Sequence, residues 1–247
     1  MVELMTLMTM TLGSLEKVPL ALRDHVASYA RLVRELAGEA AKSLVLYGDV
    51  LSGEFDSRRA AILSILVVQR IDLQLLHRLG EHGARLGGWG IAAPLVLTPE
   101  HISGSLDSFP LELMEIAQCH LAVFGEDSFR ELTFADSDVR LQCEREIKRL
   151  LIGLRQGLLA TAGRDRLIPA LEHDAAESLA RTLRGILWLR GKREHLSFAQ
   201  MVAEMERVAG RGLSGVRAAL DRASRPGWPE FQQLYHDAEA LGELVRA

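Results

Sequence analysis

Aromatic residues are scarce in this 247-residue chain, at 5%, and there are only two cysteines. Few rings leave few platforms on which successive bases can stack, which argues against a single-strand nucleic-acid binder. Cys119 and Cys143 offer neither a metal-ligand spacing nor a disulfide framework, so both read as reduced packing residues. A surplus of positive charge is missing too. Lys and Arg number 29 against 33 Asp and Glu, a net charge of −4 that gives no global attraction to nucleic acid. No apolar run is long enough to span a bilayer, so no membrane partner is expected. The Met- and Thr-rich start lacks a basic segment, so residues 1–14 read as a frayed terminus rather than a signal peptide, and the expected location is the cytoplasm.

What is present is ordinary globular composition, 48% hydrophobic and 25% charged, in a chain long enough for one large domain or two small ones. Its organising stretch is Leu44 to Val68. A short apolar run, Leu44 to Tyr47, stops at Gly48. Asp49 follows as a candidate N-cap for a short helix through Val50 and Leu51. Gly53, Glu54, Phe55, Asp56 and Ser57 read as a loop. Ile62 to Val68 is then a second strand, β-branched and too short for a helix.

The flanking pattern is helical. Leu15 to Lys42 carries an apolar stripe that includes Val26, Ala30 and Val33, with Pro19 in its first turn. Asp72 is a candidate N-cap for a helix that Gly83, Gly87 and Gly88 would end. Ile91 to Thr98 reads as a third strand with Pro94 near its start, and Thr98 with Pro99 opens a short helix. Phe109 to Ile116 reads as a fourth strand and Leu121 to Phe124 as a fifth; a helix over Leu111 to Val123 is the rival reading. Beyond Ser128 only helices are predicted: Asp138–Ala162 stopped by Gly163, Asp165–Arg190, one capped by Ser197 and ended by Gly210, Leu213–Ala223, and Glu230–Val245. Antiparallel helices on short loops mean a bundle. The expected fold is therefore α+β: a small mixed sheet with flanking helices over 15–130, then an all-α bundle over 131–247.

The Leu44–Val68 stretch resembles the signature of the nucleotidyltransferase superfamily, the polymerase-β-like palm. The order of elements, Pro94-Leu-Val-Leu-Thr98 and Val123-Phe-Gly-Glu-Asp127 add to the likeness. In that family a strand ends in Gly-Ser, whose backbone and hydroxyl cradle nucleotide phosphates. The next strand opens Ser-Asp-x-Asp, and with a third carboxylate on a later strand those acids hold two Mg²⁺ ions. Here Gly48 stands at the Gly position and Asp49 at the Ser position. Ala61 and Leu63 stand where the two Asp residues are expected. The resemblance implies a nucleotide contact at Gly48, Asp49 and Ser52, with Glu112 or Glu115 as candidates for the third acid.

Two hydrocarbon side chains cannot replace two carboxylates, because Mg²⁺ takes hard oxygen ligands. A carboxylate at Asp49 would also repel a triphosphate. The leading expectation is thus a non-catalytic relative, with no catalytic residue and no cofactor. It would bind a nucleotide without metal, a protein partner or a second copy of itself. The alternatives are an active Mg²⁺-dependent nucleotidyltransferase using relocated acids (Asp49, Asp56, Glu112 and Glu115) or an interaction module centred on the bundle. An arginine face, Arg140, Arg145, Arg149 and Arg155, would meet phosphate only if it lined the cleft. The histidines show no metal spacing.

Overall fold

The computed structural model describes residues 15–52, 55–57, 60–221 and 227–246. The expected frayed terminus, the Gly53–Glu54 part of the loop and the 222–223 end of the fourth bundle helix lie outside the described residues.

A 3₁₀ turn at Leu20–Leu22 leads into α1 (Arg23–Ala37), shorter at both ends than the periodicity suggests. Pro19 is extended, with ψ 135°, and so stands before the helix; a second 3₁₀ turn, Gly38–Ala40, closes it. Strand β1 (Ala41–Tyr47) pairs antiparallel with β2 (Leu63–Val68), placing Tyr47 opposite Leu63 and Val45 opposite Ile65. Next come α2 (Leu73–Gly80) and α3 (Gly83–Gly88). Asp72 caps α2 by accepting the Gln74 amide at 2.9 Å. Gly83, Gly87 and Gly88 build α3 rather than ending α2, and α3 buries Leu86.

Strand β3 (Leu95–Leu97) runs parallel to β2 and is only three residues long. Ile91 bridges Ile62 separately. Pro94, which has no N–H to give a ladder, separates the two pairings. Thr98 caps α4 (Pro99–Ser103) through the His101 amide at 3.2 Å.

The segment after Phe109 corrects the predicted fourth strand. Pro110–Gln118 is a helix, α5, and His120–Gly125 is the strand β4, so the sheet has four strands among the described residues. Leu, Glu and Met are strong helix formers, and Leu111 and Met114 fall on one buried face. The rival reading of one long helix fails at His120, where pairing to β1 takes over. The sheet order is β3-β2-β1-β4.

Alternation divides the sheet's side chains. Leu44, Leu46, Ile62, Leu66 and Val68 pack with Val26, Tyr29 and Val33 of α1. Tyr29 reaches Ser64 on that face at 3.1 Å. Val45, Ile65 and Val67 on the opposite face are fully buried as well.

The second half is a bundle: α6 (Asp136–Ala160), α7 (Ile168–Leu189), α8 (Phe198–Ala209), α9 (Ser214–Leu220) and α10 (Trp228–Arg246). Asp165–Leu167, expected inside α7, form a 3₁₀ turn before it. Ser197 and Gln200 form a capping box on α8, which ends at Gly210 in the left-handed conformation. One continuous core joins the five helices, including Leu183, Met201, Val216 and Leu234.

The chain thus adopts an α+β fold. It divides into two compact units, one through Leu106 plus Ile116–Leu132, the other Asp107–Glu115 plus Thr133 onward. The first part of α5, placed with the sheet in the sequence reading, groups with the bundle. Among the described residues no helix is long and apolar enough to cross a membrane.

Candidate functional site

The turn after β1 depends on Gly48, whose φ of +78° and ψ of −151° suit glycine alone. Its amide donates to the Cys119 carbonyl at 3.0 Å, tying the turn to the residue before β4. Its carbonyl accepts the Leu51 amide at 3.0 Å. Residues Asp49–Leu51 form a 3₁₀ turn with Gly48 at the cap position. Asp49 is therefore the first residue inside the turn and not its N-cap, which corrects the sequence expectation. Ser52 donates its hydroxyl proton to the Asp49 carbonyl at 2.9 Å. Asp56 lies in the following loop, its carbonyl accepting the Ala60 amide at 3.0 Å.

Ala61 and Leu63 are one residue apart across Ile62 and share a face at the Tyr47 end of the sheet. Both are exposed, Leu63 at 40%. A Cβ built on Gly48 would lie 3.9 Å from Leu63 Cδ1. An isobutyl group therefore stands beside the glycine turn, where the resemblance asks for a carboxylate.

Glu112 and Glu115 belong to a different structure from the one predicted. On a strand they would face opposite sides; on α5 they are i, i+3 neighbours on one side. Arg181 and Arg184 of α7 meet them. Arg181 Nη1 lies 3.3 Å from Glu112 and its Nε 3.2 Å from Glu115. Arg184, only 11% exposed, pairs with Glu115. Gln142 of α6 donates to Glu112 at 2.8 Å and accepts the Leu111 amide at 2.9 Å. These carboxylates clamp α5 to α6 and α7. Asp49 and Asp56 lie in the sheet unit, Glu112 and Glu115 in the bundle unit. Among the described residues, no three His, Cys, Asp or Glu side chains are grouped to hold a metal.

The arginine face is divided: Arg140 and Arg155 reach α10, whereas Arg145 and Arg149 are exposed and Arg149 pairs within its own helix. Arg140 donates to the Val245 carbonyl, Arg149 to Glu146 at 2.8 Å, and Arg155 to the Tyr235 hydroxyl at 2.6 Å. A groove of about 360 Å³ between α6 and α10 is lined by Ile147, Leu151 and charges of both signs, including Glu144, Lys148, Glu243 and Arg246. It contains none of the predicted site residues.

Sequence reasoning missed a histidine–aspartate pair in the sheet unit. His120 Nε2 lies 2.8 Å from Asp127 Oδ1, and Nδ1 lies 3.0 Å and 3.1 Å from the carbonyls of Ala117 and Ile116. Both ring nitrogens are thus held by oxygens of the same unit. Asp127 also accepts the Phe129 amide at 3.2 Å. The Val-Phe-Gly-Glu-Asp motif thus closes back on His120, the first residue of β4, a use that its sequence alone does not announce.

No protein-family model matches this chain, and a search of curated proteins finds no relative.

Proposed function

We propose that this chain is a nucleotidyltransferase-like protein that works by binding rather than by catalysis. The observation that carries the reading is Leu63. A half-exposed isobutyl group beside the Gly48 turn, with Ala61 next on the same face, gives that end of the sheet an apolar surface. Such a surface suits an apolar partner group or a nucleobase. It cannot neutralise a triphosphate or hold Mg²⁺. Two further observations support it. The Ser52 proton is directed to Asp49, and Glu112 and Glu115 are engaged by arginines. The ligand is a nucleotide held without metal or a protein partner, a second copy included. Cys119 and Cys143, neither of them in a disulfide, suit a cytoplasmic setting.

The test is a thermal-shift panel of ATP, GTP, CTP and UTP, each with Mg²⁺, with Mn²⁺ and with EDTA, alongside a nucleotide-transfer assay. A ligand that binds only the folded chain raises its midpoint by mass action. Any nucleotide shift is expected to survive EDTA, and no nucleotidyl group is transferred. A shift that needs the metal, or a transferred nucleotide, overturns the proposal in favour of relocated acids.

A further inference from the structure

Glu172 occupies a place where α7 calls for a hydrocarbon. The inward stripe of that helix runs Ile168, Glu172, Leu179, Leu183 and Ile186, and each of the four hydrocarbons is buried. Glu172 is itself only 1% exposed, and neither carboxylate oxygen has a hydrogen-bond partner among the described residues. A buried carboxylate without donors is costly when charged, so the group keeps its proton. Burial first, and the charge of Glu230 second, push its pKa up to about 7. Glu230 sits in the first turn of α10.

Helices α6, α8, α9 and α10 and the 165–167 turn all pack on α7. Of the groups on these elements, Glu230 of α10 adds its negative charge to the effect of burial on Glu172. His173 and Asp174, which follow it on α7, are exposed.

We propose that Glu172 is a proton-operated latch: neutral, it lets α7 and α10 close over it; ionised, it draws in water, repels Glu230 and loosens this end of the bundle. The direction follows from linkage. The unfolded chain loses this proton near the ordinary carboxylate value, whereas the folded chain keeps it to about pH 7. The stability from this group is therefore present at acid pH and is lost as pH rises through that interval. The latch is independent of the palm-like reading, because it uses only bundle residues.

The experiment is amide hydrogen exchange at pH 6 and pH 8.5, corrected for intrinsic rates, on the full chain and on Glu172→Gln. In the native chain, protection at the start of α7 and α10 is expected to fall about tenfold between the two values. Glu172→Gln should hold it constant. Glu230→Gln, which leaves the buried carboxyl in place, should move the transition to lower pH and covers the case in which Glu172→Gln fails to fold. Equal loss of protection in the native chain and Glu172→Gln overturns the latch. So does a native chain with no change, or Glu230→Gln with an unmoved transition.

Discussion

The carboxylate of Asp237, in the middle of α10, accepts the Gly215 amide at 2.9 Å and the Val216 amide at 3.3 Å. It thereby does from another helix what an N-cap residue does locally, since Leu213 offers α9 no side-chain cap. Arg211, at 3.0 Å, and Gln233, at 2.8 Å, take its other oxygen. Glycine is required beneath it, because a Cβ on residue 215 would come within 2.0 Å of the Leu234 amide nitrogen.

Asp237→Ala is accordingly expected to lower stability by roughly 3 kcal/mol, the cost of two buried amides and an arginine losing their acceptor. Gly215→Ala should cost as much or more, by forcing α9 off α10. Urea denaturation measures both. A loss under about 0.5 kcal/mol for either, the range of an ordinary surface substitution, would rule out this crossing as a structural keystone.

The clamp on α5 yields a graded expectation. Arg184 is nearly enclosed, whereas Arg181 and Glu112 are 25% and 35% exposed. Double-mutant cycles should return a larger coupling for Arg184 with Glu115 than for Arg181 with Glu112. Solvent screening holds the latter to about 1 kcal/mol or less. Only the weaker coupling should fade with added salt. Equal couplings would contradict the burial difference.

Restoring the missing acids tests the palm-like reading from the other direction. Ala61→Asp with Leu63→Asp puts two carboxylates on one face of the chain, at exposed positions where substitution costs little. The double variant should fold like the native chain and gain a Mn²⁺-dependent thermal shift with a nucleoside triphosphate. Failure of a folded double variant to bind Mn²⁺ by calorimetry would count against the likeness to the palm.

Tyr29 makes the sheet unit sensitive to alkali. Its hydroxyl is buried against Ser64, and burial pushes its pKa up to about 12. The unfolded chain ionises near 10, so stability falls as pH rises from that value through the folded one. Tyr29→Phe should remove this alkaline loss while costing about 1 kcal/mol at neutral pH, by leaving the Ser64 hydroxyl without its partner. Denaturation at pH 8 and pH 11 separates the two effects.

Local signals in the chain determined the helix starts at Asp72, Thr98 and Ser197, since a cap bond joins groups two or three residues apart. They also determined the strand–glycine turn–strand stretch around Gly48, the bundle after residue 130 and the α+β class, because periodicity and glycine placement are written in adjacent residues. Tertiary structure decided the rest. Pro110–Gln118 became a helix, and its glutamates became ion pairs, through arginines that lie 66 to 69 residues further along the chain. Asp237 found its amides 21 and 22 residues away. The proton on Glu172 depends on a burial that no neighbouring residue encodes. Solvation and long-range partners set the fate of a charged side chain, and both exist only once the chain has closed around it.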